Sequence, residues 1–317
     1  MKITEHIQNA NGKTLFSFEI IPPLKGHNIN ELMNAVEPLM DFKPPFVDVT
    51  YHREEIIEKK YPNGLIEKIP VRKRPGTVAI CASLMNRFKV DAVPHLICGG
   101  FTKDETEDAL FDLYYLGIDN VLVLRGDGDK ATGVFTPKLG GHAYASGLLE
   151  QVVNMNHGKL LHEETEAYPT NFCIGIAAYP EKHFEAPNLD TDFAYLRKKV
   201  EMGANFIVTQ MFFDNQKYFS FVEKCRAEGI NVPIIPGMKP LATKKQLTVL
   251  PRIFHLDMPQ DLVKAAEQCQ SDKDVKQVGI EWCIQQCKEL VAYGVPVLHF
   301  YTMSKSESVK KVASAVF

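Results

Sequence analysis

The run Asn205-Phe206-Ile207-Val208-Thr209-Gln210 decides the fold. Its centre is continuously apolar, the pattern of a strand buried on both faces. Amphipathic segments flank it. Before it, Phe193, Leu196 and Val200 recur at helical spacing, with Asp190 or Thr191 as cap and Gly203 as stop. After it, Tyr218, Phe221, Val222 and Cys225 form a second apolar face between a cap at Asp214 or Asn215 and a stop at Gly229. A doubly buried strand between two helices is the repeating unit of a parallel α/β sheet.

The unit repeats along the chain. Strands are predicted over 14–21, 46–51, 92–97, 120–124, 171–178, 205–210, 232–236 and 296–301. Helical patterns separate them, the last long one carrying a stripe of Ile280, Ile284, Cys287 and Val291. Composition does not shift at any point. The expected fold is therefore α/β, a (β/α)8 TIM barrel forming one domain over residues 1–317. A doubly wound open sheet is the competitor. It would usually bring a Gly-rich phosphate turn, and neither G-x-G-x-x-G nor G-x-x-x-x-G-K occurs.

The 317 residues are 45% hydrophobic, enough to bury roughly three-quarters of the unfolded surface. A net charge of -3 gives no electrostatic case for nucleic acid or an anionic membrane as partner. The N-terminus lacks an apolar signal region, and no apolar run reaches the length of a membrane span. The seven cysteines are scattered through apolar patterns, which suits reduced thiols in a cytoplasmic protein. Cys283 and Cys287, four apart on a helix, read as core. No partner pair lies at zinc spacing, so no metal is expected.

Within the first strand, Phe16-Ser17-Phe18-Glu19-Ile20-Ile21-Pro22-Pro23 places a carboxylate among apolar residues before a Pro-Pro stop. Such a group is costly to bury unless paired or protonated. Two readings stand: an ion pair with a Lys or Arg of a neighbouring strand, or a catalytic acid.

In a barrel the C-terminal strand ends converge on one site. Here they supply Glu19, Thr50, His95, Arg125 with Asp127, Tyr179, Gln210 and Tyr301. Each alone has an ordinary structural explanation, but polar groups end nearly every strand. The set lacks the His-x-His and clustered carboxylates of a metallohydrolase, and no Lys sits mid-strand as a Schiff base. Asp192 and Lys199, seven apart, share one helix face. Such a set suits a large polar cofactor that carries its own chemistry. The polar stretches 51–75, with a turn signal at Pro62-Asn63-Gly64, and 126–142 read as loops or excursions; both follow strands and belong on the catalytic face. Residues 157–169 precede a strand and belong opposite.

The chain resembles the methylenetetrahydrofolate reductase family. The resemblance is carried by the 16–23 segment, Val-Thr-Tyr at 49–51, Pro-His-Leu at 94–96 and Leu-Arg-Gly-Asp at 124–127. It continues through Tyr-Ala-Ser at 144–146, Ala-Ala-Tyr-Pro-Glu at 177–181, Gly-Ala-Asn at 203–205, Thr-Gln at 209–210, Ile-Ile-Pro-Gly at 234–237 and His-Phe-Tyr-Thr at 299–302. These occur in family order over nearly the whole chain. The resemblance implies reduction of 5,10-methylenetetrahydrofolate to 5-methyltetrahydrofolate by NAD(P)H through bound FAD, within one-carbon metabolism and methionine biosynthesis, by a homo-oligomer. Glu19 matches the general acid that protonates folate N10 and opens the ring to an iminium cation. Asp127 matches the aspartate whose charge stabilises that cation. Thr50, His95, Arg125, Gly126, Asp127, Tyr144, Ala145, Tyr179, His183, Ala186, Asp192, Lys198 and Lys199 match flavin positions. Gln210, Gln246 and Lys305 match folate positions. A proline dehydrogenase relative and a non-redox pterin-binding transferase are the competing activities.

The chain departs from the family pattern at several points. Tyr195 stands for a flavin-contacting Asn, Lys198 for an Arg, and Lys305 for an Arg whose fork a Lys lacks. Leu250 replaces an aromatic, and Gly128-Asp129-Lys130 replaces prolines. The chain stops soon after the last barrel element, with only 304–317 remaining, so control by S-adenosylmethionine through a following domain is not expected.

Overall fold

The structure, a computed structural model, describes residues 1–128, 133–162 and 167–317. Helix α1 (Ile3–Asn9) precedes β1 (Leu15–Ile20), α2 (Ile29–Val36), a 3-10 turn (Glu37–Phe42) and β2 (Phe46–Val49). Next come β3 (Glu55–Lys60), β4 (Ile66–Val71), α3 (Thr77–Phe88), β5 (Asp91–Ile97), α4 (Lys103–Tyr115), β6 (Asn120–Leu124), α5 (Ala145–Asn156) and β7 (Cys173–Ala178). The chain continues through α6 (Leu189–Glu201), β8 (Phe206–Thr209), α7 (Asn215–Ala227), β9 (Ile234–Ile235) and β10 (Gly237–Met238). It ends with α8 (Gln246–Phe254), α9 (Gln260–Gln268), α10 (Asp272–Tyr293), β11 (Val297–Tyr301) and α11 (Ser306–Val316).

All eight expected strands are present, parallel, in the order β10-β11-β1-β2-β5-β6-β7-β8-β9. The two ends of that order are one strand interrupted at Pro236, which has no N–H to give the ladder. Below the break Ile234 pairs with Ile207, and above it Gly237 pairs with His299. The sheet thereby closes on itself as a (β/α)8 barrel, and the open-sheet alternative falls.

Period-2 alternation sorts each strand between two cores. Outward residues such as Phe16, Phe18, Val47, Val121, Ile174 and Ile207 pack under the helices. Inward residues Phe46, Val93, Leu122, Cys173, Phe206, Val208, Ile235 and Val297 fill the lower interior. Helix α1 plugs that end: Ile3 is fully buried there, and its N–H donates to Asn120 Oδ1 at 2.8 Å. The α8–α10 excursion builds a satellite core on Met211, Phe213, Leu241, Leu250, Leu256 and Leu262. The cysteines are free, and all but the half-buried Cys269 are buried. No helix among the described residues is long and apolar enough to cross a membrane.

Three local expectations need correction. Asn188, not Asp190 or Thr191, caps α6, its side chain accepting the Thr191 N–H; Asp214 does cap α7. The polar stretch 51–75 is an antiparallel hairpin, β3–β4, turning at Gly64, whose φ is +82°. Its strands are mostly solvated and charged, so the hydrophobic pattern was faint. On α10 the buried face runs through Val275, Ile280, Cys283, Cys287 and Leu290, leaving Val291 exposed.

Gly237 is required by close approach. A Cβ there would meet the Thr209 carbonyl at 2.3 Å and the Tyr301 hydroxyl at 2.4 Å. Gly237→Ala is expected to cost about 1–3 kcal/mol through overpacking. Urea denaturation checks this; an unchanged midpoint would show that the closing strand tolerates displacement.

Candidate active site

Above the apolar plug the barrel interior turns polar. Ser17 Oγ lies 2.8 Å from His299 Nδ1 across β1 and β11. One inward step higher, Glu19 pairs in register with Tyr301 on one side and Asp48 on the other. The Asp48 carboxylate accepts from His95 Nε2 at 3.3 Å. Its other oxygen, Oδ1, is buried without a protein partner among the described residues. Tyr301 donates to the Thr209 carbonyl at 2.6 Å, closing the layer over the Gly237 gap.

Glu19 itself is 9% exposed, and its carboxyl makes no hydrogen bond or ion pair with another described residue. Its backbone carbonyl accepts the Thr302 hydroxyl at 2.7 Å. Burial, opposed by His95 and Lys239 and reinforced by Asp48 and Asp127, pushes its pKa from 4.5 to about 7. The ion-pair reading of Glu19 therefore fails on geometry. Glu181 is also raised to about 7, first by burial, but its carboxylate is committed to the Asp257 N–H at 3.0 and 3.1 Å.

A second group lies where β6 and β7 end against α6. A cavity there is lined by Ala177, Tyr179, His183, Asp192 and Lys199 with apolar neighbours. The Lys199 ammonium reaches the Ala177 carbonyl at 3.3 Å, and burial lowers its pKa to about 8 against the pull of Asp192. Asp192 accepts the His183 N–H at 2.8 Å. The His183 ring meets Tyr179 edge-on at 4.8 Å. Burial and then the Arg125 cation hold the His183 imidazole below its ordinary pKa. Burial and then Asp127 push the Tyr179 phenol up to about 12. Arg125 pairs with Glu185 and lies over the Phe135 ring. Gly126 turns with φ +89°, and a Cβ there would press on Ile97 at 3.3 Å. Ala186 is buried and its N–H donates to the His183 carbonyl at 3.0 Å.

The remaining expected residues are more dispersed. Thr50 Oγ1 lies 3.1 Å from His52 Nε2 beside the Glu19 layer. Asp127 is exposed at the rim, and Tyr144 and Ala145 open α5. Gln210 Oε1 accepts the Met211 N–H at 2.9 Å and lines a neighbouring cavity with Tyr179 and Leu256. Gln246 Oε1 accepts the Ala242 N–H at 2.7 Å. Leu250 is buried in the satellite core. Lys198, Tyr195 and Lys305 are exposed, Lys305 as the cap of α11. Asp129 and Lys130 lie outside the described residues. Sequence reasoning missed Ser17, Asp48, His299 and Lys239. The first three sit two residues before Glu19, Thr50 and Tyr301, so strand alternation placed them on the same inward face.

With this geometry in hand, the comparison with known proteins is decisive for kinship. The family model described as Methylenetetrahydrofolate reductase matches residues 2–316. The chain belongs to this family. It is 31% identical to Methylenetetrahydrofolate reductase (NADH) 1 of Arabidopsis thaliana over 97% of its own length and 49% of that protein. It is 30% identical to the 5,10-methylenetetrahydrofolate reductase of Escherichia coli over 96% of its length and 91% of that protein. The chain thus spans about half the length of plant and fission-yeast family members, and nearly all of the bacterial one. A solved Clostridium thermocellum protein, described as binding two copies of 5-methyl-5,6,7,8-tetrahydrofolic acid, superposes with a TM-score of 0.58. That match has 14% identity and covers 99% of this chain and 98% of the other, a likeness of fold.

The position of Glu19 has a consequence for stability. Its folded pKa, about 7, exceeds the ordinary 4.5, so it favours folding below 4.5 and that contribution is lost as pH rises through about 7. Glu19→Gln removes this loss. The variant is expected to exceed wild type in stability by up to roughly 3 kcal/mol on the alkaline side. Urea titrations between about pH 5 and pH 9 read the difference; Glu181 titrates alike in both proteins and cancels. Parallel stability curves would contradict the buried neutral carboxyl.

Proposed function

We propose that this chain reduces 5,10-methylenetetrahydrofolate to 5-methyltetrahydrofolate with NAD(P)H, through FAD held across the barrel mouth. Family membership supports the reaction class. The observation that carries the reading is Glu19: a carboxyl kept neutral to about 7 by burial is a proton donor at working pH.

The residues present fit FAD. The Lys199 ammonium has three donors and one carbonyl partner, which leaves capacity for the anionic oxygens of a pyrophosphate. Arg125 can exchange Glu185 for the same kind of acceptor. Asp192, through the His183 N–H, fixes the loop that carries Ala186. Thr50, His95, Gly126, Tyr144, Ala145, Tyr179, Lys198 and Lys199 would line the cofactor. Bound there, FAD would supply the hydride.

Glu19 gives its proton to folate N10, and the C–N bond to that nitrogen breaks. Its carboxylate is left inside the barrel while positive charge appears on the substrate. Asp127, exposed at the rim and close enough to influence Glu19, offers compensating negative charge to that cation. Gln210 follows β8 and Gln246 opens α8, where amides can read the pterin edge. Lys305 at the start of α11 can meet the folate tail.

Glu19→Gln is expected to slow folate reduction by about 10²- to 10⁴-fold. Reduction of the flavin by NAD(P)H should stay largely intact. Anaerobic stopped-flow separates the two half-reactions, and equal losses in both would remove Glu19 from the acid role. In wild type the folate half-reaction should decline as pH rises through about 7.

A further inference from the structure

Lys239 lies one residue beyond β10 and is half-buried at the barrel mouth. Gly237, two residues earlier, faces the interior, since a Cβ there would strike the Tyr301 ring and the Thr209 carbonyl. Met238 between them packs in the outer core. Strand alternation therefore turns Lys239 inward. Register fixes its level: Gly237 pairs with His299 and Met238 with Phe300, so Lys239 comes beside Tyr301. Tyr301 in turn pairs with Glu19. Lys239, Tyr301, Glu19 and Asp48 thus form one inward-facing row across β10, β11, β1 and β2.

We propose that Lys239 is the positioning counter-charge of Glu19, holding the carboxylate that remains once Glu19 has given up its proton. The proposal rests on the reading of Glu19 as the acid. In the step, the Glu19 O–H bond breaks and an N10–H bond forms on the folate. Negative charge stays on Glu19, and the Lys239 ammonium keeps all its protons. Tyr301 stands between the two groups, and they make no direct ion pair. Glu19 can therefore hold its proton in the resting site while its conjugate base is stabilised across the row.

Every charged group facing Glu19 bears on this balance. Asp48 from β2 and Asp127 after β6 favour the protonated acid, while His95 from β5 and Lys239 favour the carboxylate. The Tyr301 phenol is pushed far up, first by burial and then by Glu19, and stays neutral. His95 is already engaged with Asp48. Lys239 makes no hydrogen bond or ion pair with another described residue, leaving its charge directed at Glu19.

The test compares Lys239→Met, Lys239→Gln and Lys239→Arg with wild type in the reconstituted flavoprotein. In the Met and Gln variants the alkaline limb of the folate half-reaction should move up by about one pH unit. The folate step should also slow relative to flavin reduction by NAD(P)H, and Arg should restore both. A second readout does not depend on turnover. The pH at which the urea-stability gap between wild type and Glu19→Gln levels off should rise by a similar amount when both carry Lys239→Met. Unmoved pH limbs together with an unmoved levelling-off point would overturn the proposal. A moved levelling-off point in a protein that never oxidises its flavin with methylenetetrahydrofolate would keep the Lys239–Glu19 coupling and discard the proposed reaction.

Discussion

Desolvation of one carboxyl inside a closed barrel is the constraint on which the site depends. Eight strands that alternate in and out create a single interior, and closure through the broken strand at Pro236 leaves no open edge on that interior. The lower half is filled by apolar side chains and plugged by α1. The upper half must therefore satisfy its polar groups among themselves. Ser17 with His299 does so, and Asp48 does through the oxygen that meets His95, whereas the Glu19 carboxyl has no such partner among the described residues. Its solution is to keep its proton, which is also what an acid needs before it reacts.

The polar layer spreads the cost of this arrangement over several strands. Asp48 opposes ionisation of Glu19, while His95 and Lys239 favour it. Tyr301 spans the gap left by Gly237 and anchors on the Thr209 carbonyl. The second group, around Lys199 and Asp192, draws on β7 and α6 and stands apart from the Glu19 row. An electron-carrying group and a proton-donating group can thus be held by separate parts of one rigid frame.

Much of the fold was legible because doubly buried strands announce themselves as continuous apolar runs. The run at 205–210 and its helices behave as their pattern says, apart from the cap at Asn188. The β3–β4 hairpin was missed because Glu58, Lys59, Lys60 and Lys68 obscure its alternation, although its turn at Gly64 was visible. Among site residues, those at strand ends stood out as polar punctuation. Ser17, Asp48 and His299 were hidden inside strands, where only three-dimensional closure brings them together. Lys239 had no signal, because the proline at 236 ended the strand as read from sequence, whereas the barrel resumes it at Gly237.

The central claim is that the free protein carries Glu19 as a neutral acid near neutrality. Infrared difference spectroscopy of wild type against Glu19→Gln measures this directly. The account predicts, in the wild-type-minus-variant difference where the Glu181 carboxyl cancels, a protonated-carboxyl C=O band at mildly acid pH that fades as pH rises through about 7. A band that has already disappeared with an ordinary carboxyl midpoint near 4.5 would contradict it.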